Sequence, residues 1–242
     1  MTELASPDML RRTLLALLTL PAVAVVDSPA VGAESRAARY QAALDELAAT
    51  RVKLAKRHRE AKTPSKQRAV INRAEQRLLE AFDEALLPAW RGTPWDFNGT
   101  SNTPGTGHIA CGYFVTTLLR HAGVRVERAK LAQQASERIV KALCPPSSVW
   151  RFRKGDENAV VDSIEEEGHG LYVVGLDNHV GYLRIAGSSR FWHSSYVEPA
   201  VVASENPKKA VAFQSSYHVV GRLFTPSLIE RWLAGDAIET PS

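Results

Sequence analysis

The chain changes periodicity partway along. Up to residue 144 its apolar residues recur at helical spacing, and from residue 171 they come in short β-branched and aromatic runs divided by turn residues. A block of helices followed by short strands with tight turns restricts the fold to the α+β class, with helices laid on an antiparallel sheet. At 242 residues there is enough chain for one such core and an appendage.

The first 33 residues read as an export signal. Arg11 and Arg12 precede an apolar run from Thr13 to Val26, and the small residues Pro29 to Ala33 offer a cleavage point after Val31-Gly32-Ala33. The run is too short to span a bilayer, and Pro21 interrupts it. This order predicts a periplasmic or extracellular protein that meets a membrane only during export. Residues 34–90 read as a helical hairpin. Ala, Leu, Arg, Glu and Lys dominate from Glu34 to Lys62, Thr63-Pro64-Ser65 breaks the pattern, and a clearer stripe runs from Val70 to Leu86. Arg and Lys crowd the turn from Arg51 to Lys66. The simplest reading is a solvated tip; the functional one is a contact for an anionic polymer.

Residues 91–242 hold the candidate chemistry. A loop rich in Gly, Thr, Asn and Pro runs into a helix predicted over Ile109 to Ala122, which ends at Gly123. Cys111, Phe114, Val115, Leu118, Leu119 and Ala122 share its apolar face. Cys111 therefore stands in the first turn, where backbone N–H groups and the helix dipole favour a thiolate and an adjacent oxyanion. A cysteine on such a stripe also serves as a small buried hydrophobe, and that reading stays open at this point. In the loop, Asp96 and Asn98 are candidate substrate contacts or makers of Asx-turns. A further helix is predicted over Val126 to Cys144, with Cys144 structural.

In the second half, Leu171 to Leu176, the run opened by His179, and Arg190 to Tyr196 read as consecutive strands, with turns at Asp177-Asn178 and Gly187-Ser188. Side chains alternate along a strand, so a connection of three or five residues at Gly187 puts His179 and His193 on one face, and one of two or four separates them. On one face, His179 can take a proton from a helix-borne thiol and return it to a leaving group, while His193 fixes the tautomer of His179. No HExxH-like spacing accompanies His179, His193 and Asp177, so no metal site is expected. Two cysteines are too few for a disulfide scaffold, though Cys111 and Cys144 are able to pair with each other. A net charge of +4 suits anionic polymers. The lack of a long basic run interleaved with aromatics argues against nucleic acid.

Cys111 followed by Gly112 to Val115, His179 in Asp-Asn-His-Val-Gly-Tyr-Leu, and His193 in Phe-Trp-His-Ser-Ser together resemble the NlpC-type branch of papain-like cysteine peptidases and amidases. These are bacterial cell-wall hydrolases, and the resemblance covers roughly residues 90–225. It implies a papain-like core with Cys111, His179 and His193 as the catalytic set. It further implies hydrolysis of an amide through an acyl-thioester, with neither metal nor organic cofactor. A peptidoglycan stem peptide is the substrate most in keeping with that family. The chain departs from the family in having Ala110-Cys111-Gly112-Tyr113 where Asp-Cys-Ser-Gly is usual, and Trp95 and Phe97 where an upstream Tyr is usual. Two other readings are a papain-like amidase or acyltransferase acting on lipid or protein, and a non-enzymatic exported scaffold with Cys111 in its core.

Overall fold

The computed structural model describes residues 29–153 and 156–240. Most of the expected export signal, residues 1–28, lies outside the described residues; the small-residue stretch after it belongs to the first helix. That helix, α1 (Pro29–Glu60), is followed by α2 (Pro64–Ala81), a π-helical turn (Phe82–Leu86) and α3 (Leu87–Trp90). Thr63 accepts from the Lys66 backbone N–H and Pro64 occupies the first position of α2, so the hairpin turn is built from the residues that break the sequence pattern.

Next come α4 (Cys111–His121), the short strand β1 (Arg125–Val126), α5 (Arg128–Ala132), α6 (Ser136–Leu143) and β2 (Val149–Arg153). The single helix expected over Val126 to Cys144 is therefore a strand and two helices. The break has a tertiary cause. Ser136 Oγ donates to the Leu176 carbonyl at 2.6 Å, and its Cβ lies where any side chain on Gly175 would have to go, 2.9 Å from that site. This contact draws the start of α6 onto the end of a sheet strand, and Ala135 adopts an extended conformation to allow it.

The rest of the chain is α7 (Glu157–Glu166), β3 (Gly170–Gly175), β4 (Val180–Ala186), β5 (Ser188–Ser194), β6 (Val202–Glu205), β7 (Tyr217–Arg222), α8 (Pro226–Ala234) and β8 (Ala237–Ile238). The six longer strands form one antiparallel sheet in the order β2-β7-β3-β4-β5-β6. The protein is thus α+β. Alternation along the strands divides the interior in two. Leu171, Val173, Tyr182 and Val219 pack with α1, α2, α4, α6 and α8, while Tyr172, Val174, Leu183 and Phe191 pack with α7. The hairpin shares the first of these cores: Tyr40, Leu47, Leu54, Ala74 and Leu78 belong to the same cluster as Phe114, Val115 and Trp232.

Candidate active site

Cys111 is the first residue of α4, and Ala110 before it gives no side-chain cap. The opening N–H groups of the helix are left free to face an anion. Position 112 must be glycine: a Cβ there would lie 2.2 Å from the Ala132 carbonyl oxygen. The loop ahead of the thiol is pinned rather than free. Trp95 N–H donates to the Ala200 carbonyl at 2.8 Å, Ile109 N–H to the Pro94 carbonyl at 2.9 Å, and Ala110 N–H to the Gly99 carbonyl at 2.9 Å. Ser194 Oγ donates to the Ile109 carbonyl at 2.6 Å, tying the loop to β5. Arg128 clamps it from the other side through the carbonyls of Thr100 and Ser101, at 2.8 Å each.

His179 stands just before β4, at the tip of a hairpin in which Leu176 N–H donates to the His179 carbonyl at 2.8 Å. The tip is held by Asp177, whose carboxylate accepts from the Ser215 hydroxyl and from the Ser216 N–H and hydroxyl. Those bonds hold the Asp177 carboxyl below its ordinary range. Pairing between β4 and β5 is symmetric about Gly187, with Ala186 opposite Ser188 and Tyr182 opposite Trp192. Gly187 takes the left-handed conformation the turn requires, φ +67°. The connection is odd in length, so His179 and His193 share a face.

On that face they meet. His179 Nε2 lies 2.9 Å from His193 Nδ1, with the rings perpendicular and 5.0 Å apart. His193 stacks on Phe191 at 4.2 Å, and Tyr196 closes on the edge of His179 at 5.3 Å. Gly181 makes the room: a Cβ on it would fall 2.9 Å from His193 Cβ and 2.8 Å from the Trp192 carbonyl oxygen.

The relay extends one residue further than the sequence reading. His193 Nε2 is 2.6 Å from Glu205 Oε2. A carboxylate only accepts, so His193 carries its proton on Nε2 and presents a lone pair at Nδ1. His179 must then donate from Nε2, which leaves a lone pair on its Nδ1. Nothing in the sequence marks Glu205, because Ala203-Ser204-Glu205 carries no β-branched or aromatic residue. The pairing that sets Glu205 opposite Phe191, diagonal to His193, depends on the irregular 195–201 connection.

Burial pushes the Cys111 thiol up, while the N–H groups of Val180, Gly112 and Cys111 work against that rise. Val180 is the neighbour of His179, so the thiol sits at the start of β4. Burial also pulls His179 and His193 down, each to about 3. Burial thus works toward the neutral form of the thiol and of both imidazoles. Cys111 and His179 both line a groove of about 620 Å³, and they share a second, narrower one of about 190 Å³. No hydrogen bond joins the two side chains in the free protein among the described contacts.

Of the remaining expected residues, Asn98 lines the wide groove. Asp96 does not: its carboxylate accepts from the Asn98 backbone N–H at 2.7 Å, an Asx-turn. Trp95, Phe97, Tyr113 and Tyr196 supply the groove's aromatic walls, and no Lys, Arg, Asp or Glu lines it. Cys111 and Cys144 are both free thiols. Cys144 is buried against Gly221, where its Sγ takes up the space of a side chain. No group of three or more His, Cys, Asp or Glu suited to a metal ion occurs among the described residues.

Fold and site together define an α+β protein with a cysteine at a helix start beside a His–His–Glu relay. No family model, no curated protein and no solved structure matches this chain.

Proposed function

We propose that the protein is an exported cysteine hydrolase with a papain-like core, cleaving an amide bond through a thioester on Cys111. The observation that carries this reading is the relay itself. The 2.9 Å and 2.6 Å contacts fix both imidazole tautomers and leave one lone pair, on Nδ1 of His179, a residue that lines the groove together with Cys111.

The chemistry follows from that arrangement. As substrate enters, Cys111 Sγ bonds to the carbonyl carbon and His179 Nδ1 takes the thiol proton. Charge on the carbonyl oxygen is met by N–H groups at the start of α4. When the C–N bond breaks, His179 returns the proton to the departing nitrogen. Water then attacks the thioester, its proton passing to His179, and the proton returns to sulfur as the S–C bond breaks. Burial works against a resting thiolate–imidazolium pair, which favours proton transfer in step with attack.

A peptidoglycan stem peptide is the first substrate to test. The uncharged aromatic lining favours a second reading at the level of substrate: an uncharged acyl group on a lipid or protein amide or ester. Both make the same intermediate, so product analysis separates them. Purified full-length protein is incubated with peptidoglycan and with neutral acyl-amide and acyl-ester substrates. Products are identified by mass spectrometry, and the acyl adduct is sought on Cys111. Absence of both turnover and adduct on every substrate rejects the hydrolase reading.

A further inference from the structure

The cations of this protein are unevenly placed. Nine Lys and Arg residues and a single acid, Glu60, fall between Arg51 and Arg73. That stretch is net +8 in a chain whose total is +4, so the remainder is net −4. It forms the end of the α1–α2 hairpin.

Elsewhere, several basic side chains are neutralised by acids, and others are engaged by neutral acceptors, as Arg128 is by the Thr100 and Ser101 carbonyls and Arg190 by Ser204. Arg77 meets Glu46 and Glu80, Arg184 meets Asp83, Arg222 meets Glu75, and Lys208 meets Asp162. At the tip the pattern inverts. Lys53, Arg57, Arg59, Lys62, Lys66 and Arg68 are exposed and have no acidic partner among the described residues. Only Lys56 reaches one, Glu60 at 3.9 Å.

The fold does not need this. Lys53 and Arg57 are four residues apart and Lys56 and Arg59 three, like charges stacked on one helix. The cations at the end of α1 suit its dipole, but Lys66 stands at the third position of α2, at the positive end of that helix. Such an array is held against its own repulsion, and an external polyanion removes the repulsion.

We propose that the hairpin tip docks a flexible linear polyanion with phosphates along its backbone. The tip has no Phe, Tyr or Trp on which a base could stack, its one ring being the half-buried imidazole of His58, and one exposed large apolar residue, Val52. Its cations fan over roughly half the circumference of α1 at 100° per residue, which suits a chain that wraps rather than a flat surface. The site is remote from the groove. Arg36 near the start of α1 reaches the Arg91 carbonyl, next to the loop before the thiol. Arg51 lies against the Trp232 carbonyl, and the tip extends beyond it, about 35 Å along the helix from Arg36. Docking there leaves the groove open and raises the local concentration of whatever the polymer carries.

The test uses the full chain and labelled long-chain inorganic polyphosphate, with binding followed by fluorescence anisotropy across a salt series. Binding is expected to weaken steeply with salt, with a log–log slope of about −3 to −4 for four to six cations engaged. Replacing Lys53, Arg57, Arg59 and Lys62 together by Gln should weaken it at least tenfold and flatten the slope. A Lys66→Gln/Arg68→Gln variant, on the other helix, should weaken it about threefold, and guards against a fold defect in the first. Cys111→Ala should bind like the parent, so this result is independent of the proposed hydrolysis. Failure of the parent to bind, unchanged affinity in the variants, or preference for anionic phospholipid vesicles or for an oligonucleotide at equal phosphate would each overturn the proposal.

Discussion

Glu205 Oε2 sits 2.6 Å from His193 Nε2, on the strand next to the one that carries the histidine. His193 is fully buried, whereas the Glu205 side chain is 39% exposed, so a solvated carboxylate anchors a dry imidazole pair. Its effect is exerted two bonds away, on which nitrogen of His179 bears the proton.

Replacement of Glu205 by Ala should release that constraint. In ¹⁵N spectra of the imidazoles, His179 should change from an Nε2–H species to a tautomer mixture, and kcat/KM on the cognate substrate should fall about 10- to 100-fold, the range of conserved orienting contacts. Glu205→Gln keeps an acceptor and should retain the tautomer with a smaller loss. Identical His179 spectra in the parent and the Ala variant would remove Glu205 from the relay.

Cys111 should be the one thiol modified by iodoacetamide in the native protein. Cys144 is buried and its thiol is pushed up by that burial, so it should react only after denaturation. Labelling of Cys111 should slow several-fold in His179→Ala. A native protein in which Cys111 resists the reagent until unfolded behaves as the non-enzymatic scaffold does.

Gly181→Ala tests the room between the strands. The added methyl meets His193 Cβ and the Trp192 carbonyl at under 3 Å, and overpacking of this kind costs about 1–3 kcal/mol. Thermal melts should show that loss, and the His179–His193 bond should lengthen enough to alter the imidazole spectra. A variant of unchanged stability and spectra would mean that the strands adjust freely.

Stability should fall with acid before the carboxylates titrate. His179 and His193 move from 6.5 to about 3 on burial, and His121 to about 4. Between those values and 6.5 the unfolded chain binds more protons than the folded one, so stability rises with pH across that window. It is fully present above about 6.5 and drains away as pH falls toward 3. The loss grows with each proton that the unfolded chain takes up and the folded chain does not. Denaturant midpoints measured from pH 7.5 to 4 should decline accordingly, and the decline should be shallower in His193→Gln. A flat profile would show that the rings titrate alike in the folded and unfolded chain.

Local patterns were legible wherever one side chain decides the backbone. Thr63-Pro64 starts α2, Gly123 follows α4, and Asp177-Asn178 and Gly187 turn the strands. The odd register about Gly187 was one of two outcomes open to the sequence, and the pairing selected the one that joins the histidines. Where a distant segment decides, the sequence was silent. The break between α5 and α6 exists because Ser136 is bonded to a strand end forty residues later. Strand β2 was not anticipated and has a ladder partner only in β7.

Alone, the sequence determined the α+β class, the hairpin, and the placement of Cys111 at a helix start with two histidines at strand positions downstream. These are periodicities and breakers, written in residues a few places apart. The tertiary structure decided that His179 and His193 bond, that Glu205 completes their line, and that Asp96 serves a turn while Asn98 faces the groove. It also decided that the groove wall carries no charge. Each of those depends on strand register or on loop packing across tens of residues, where the free energy lies in contacts that no local pattern encodes.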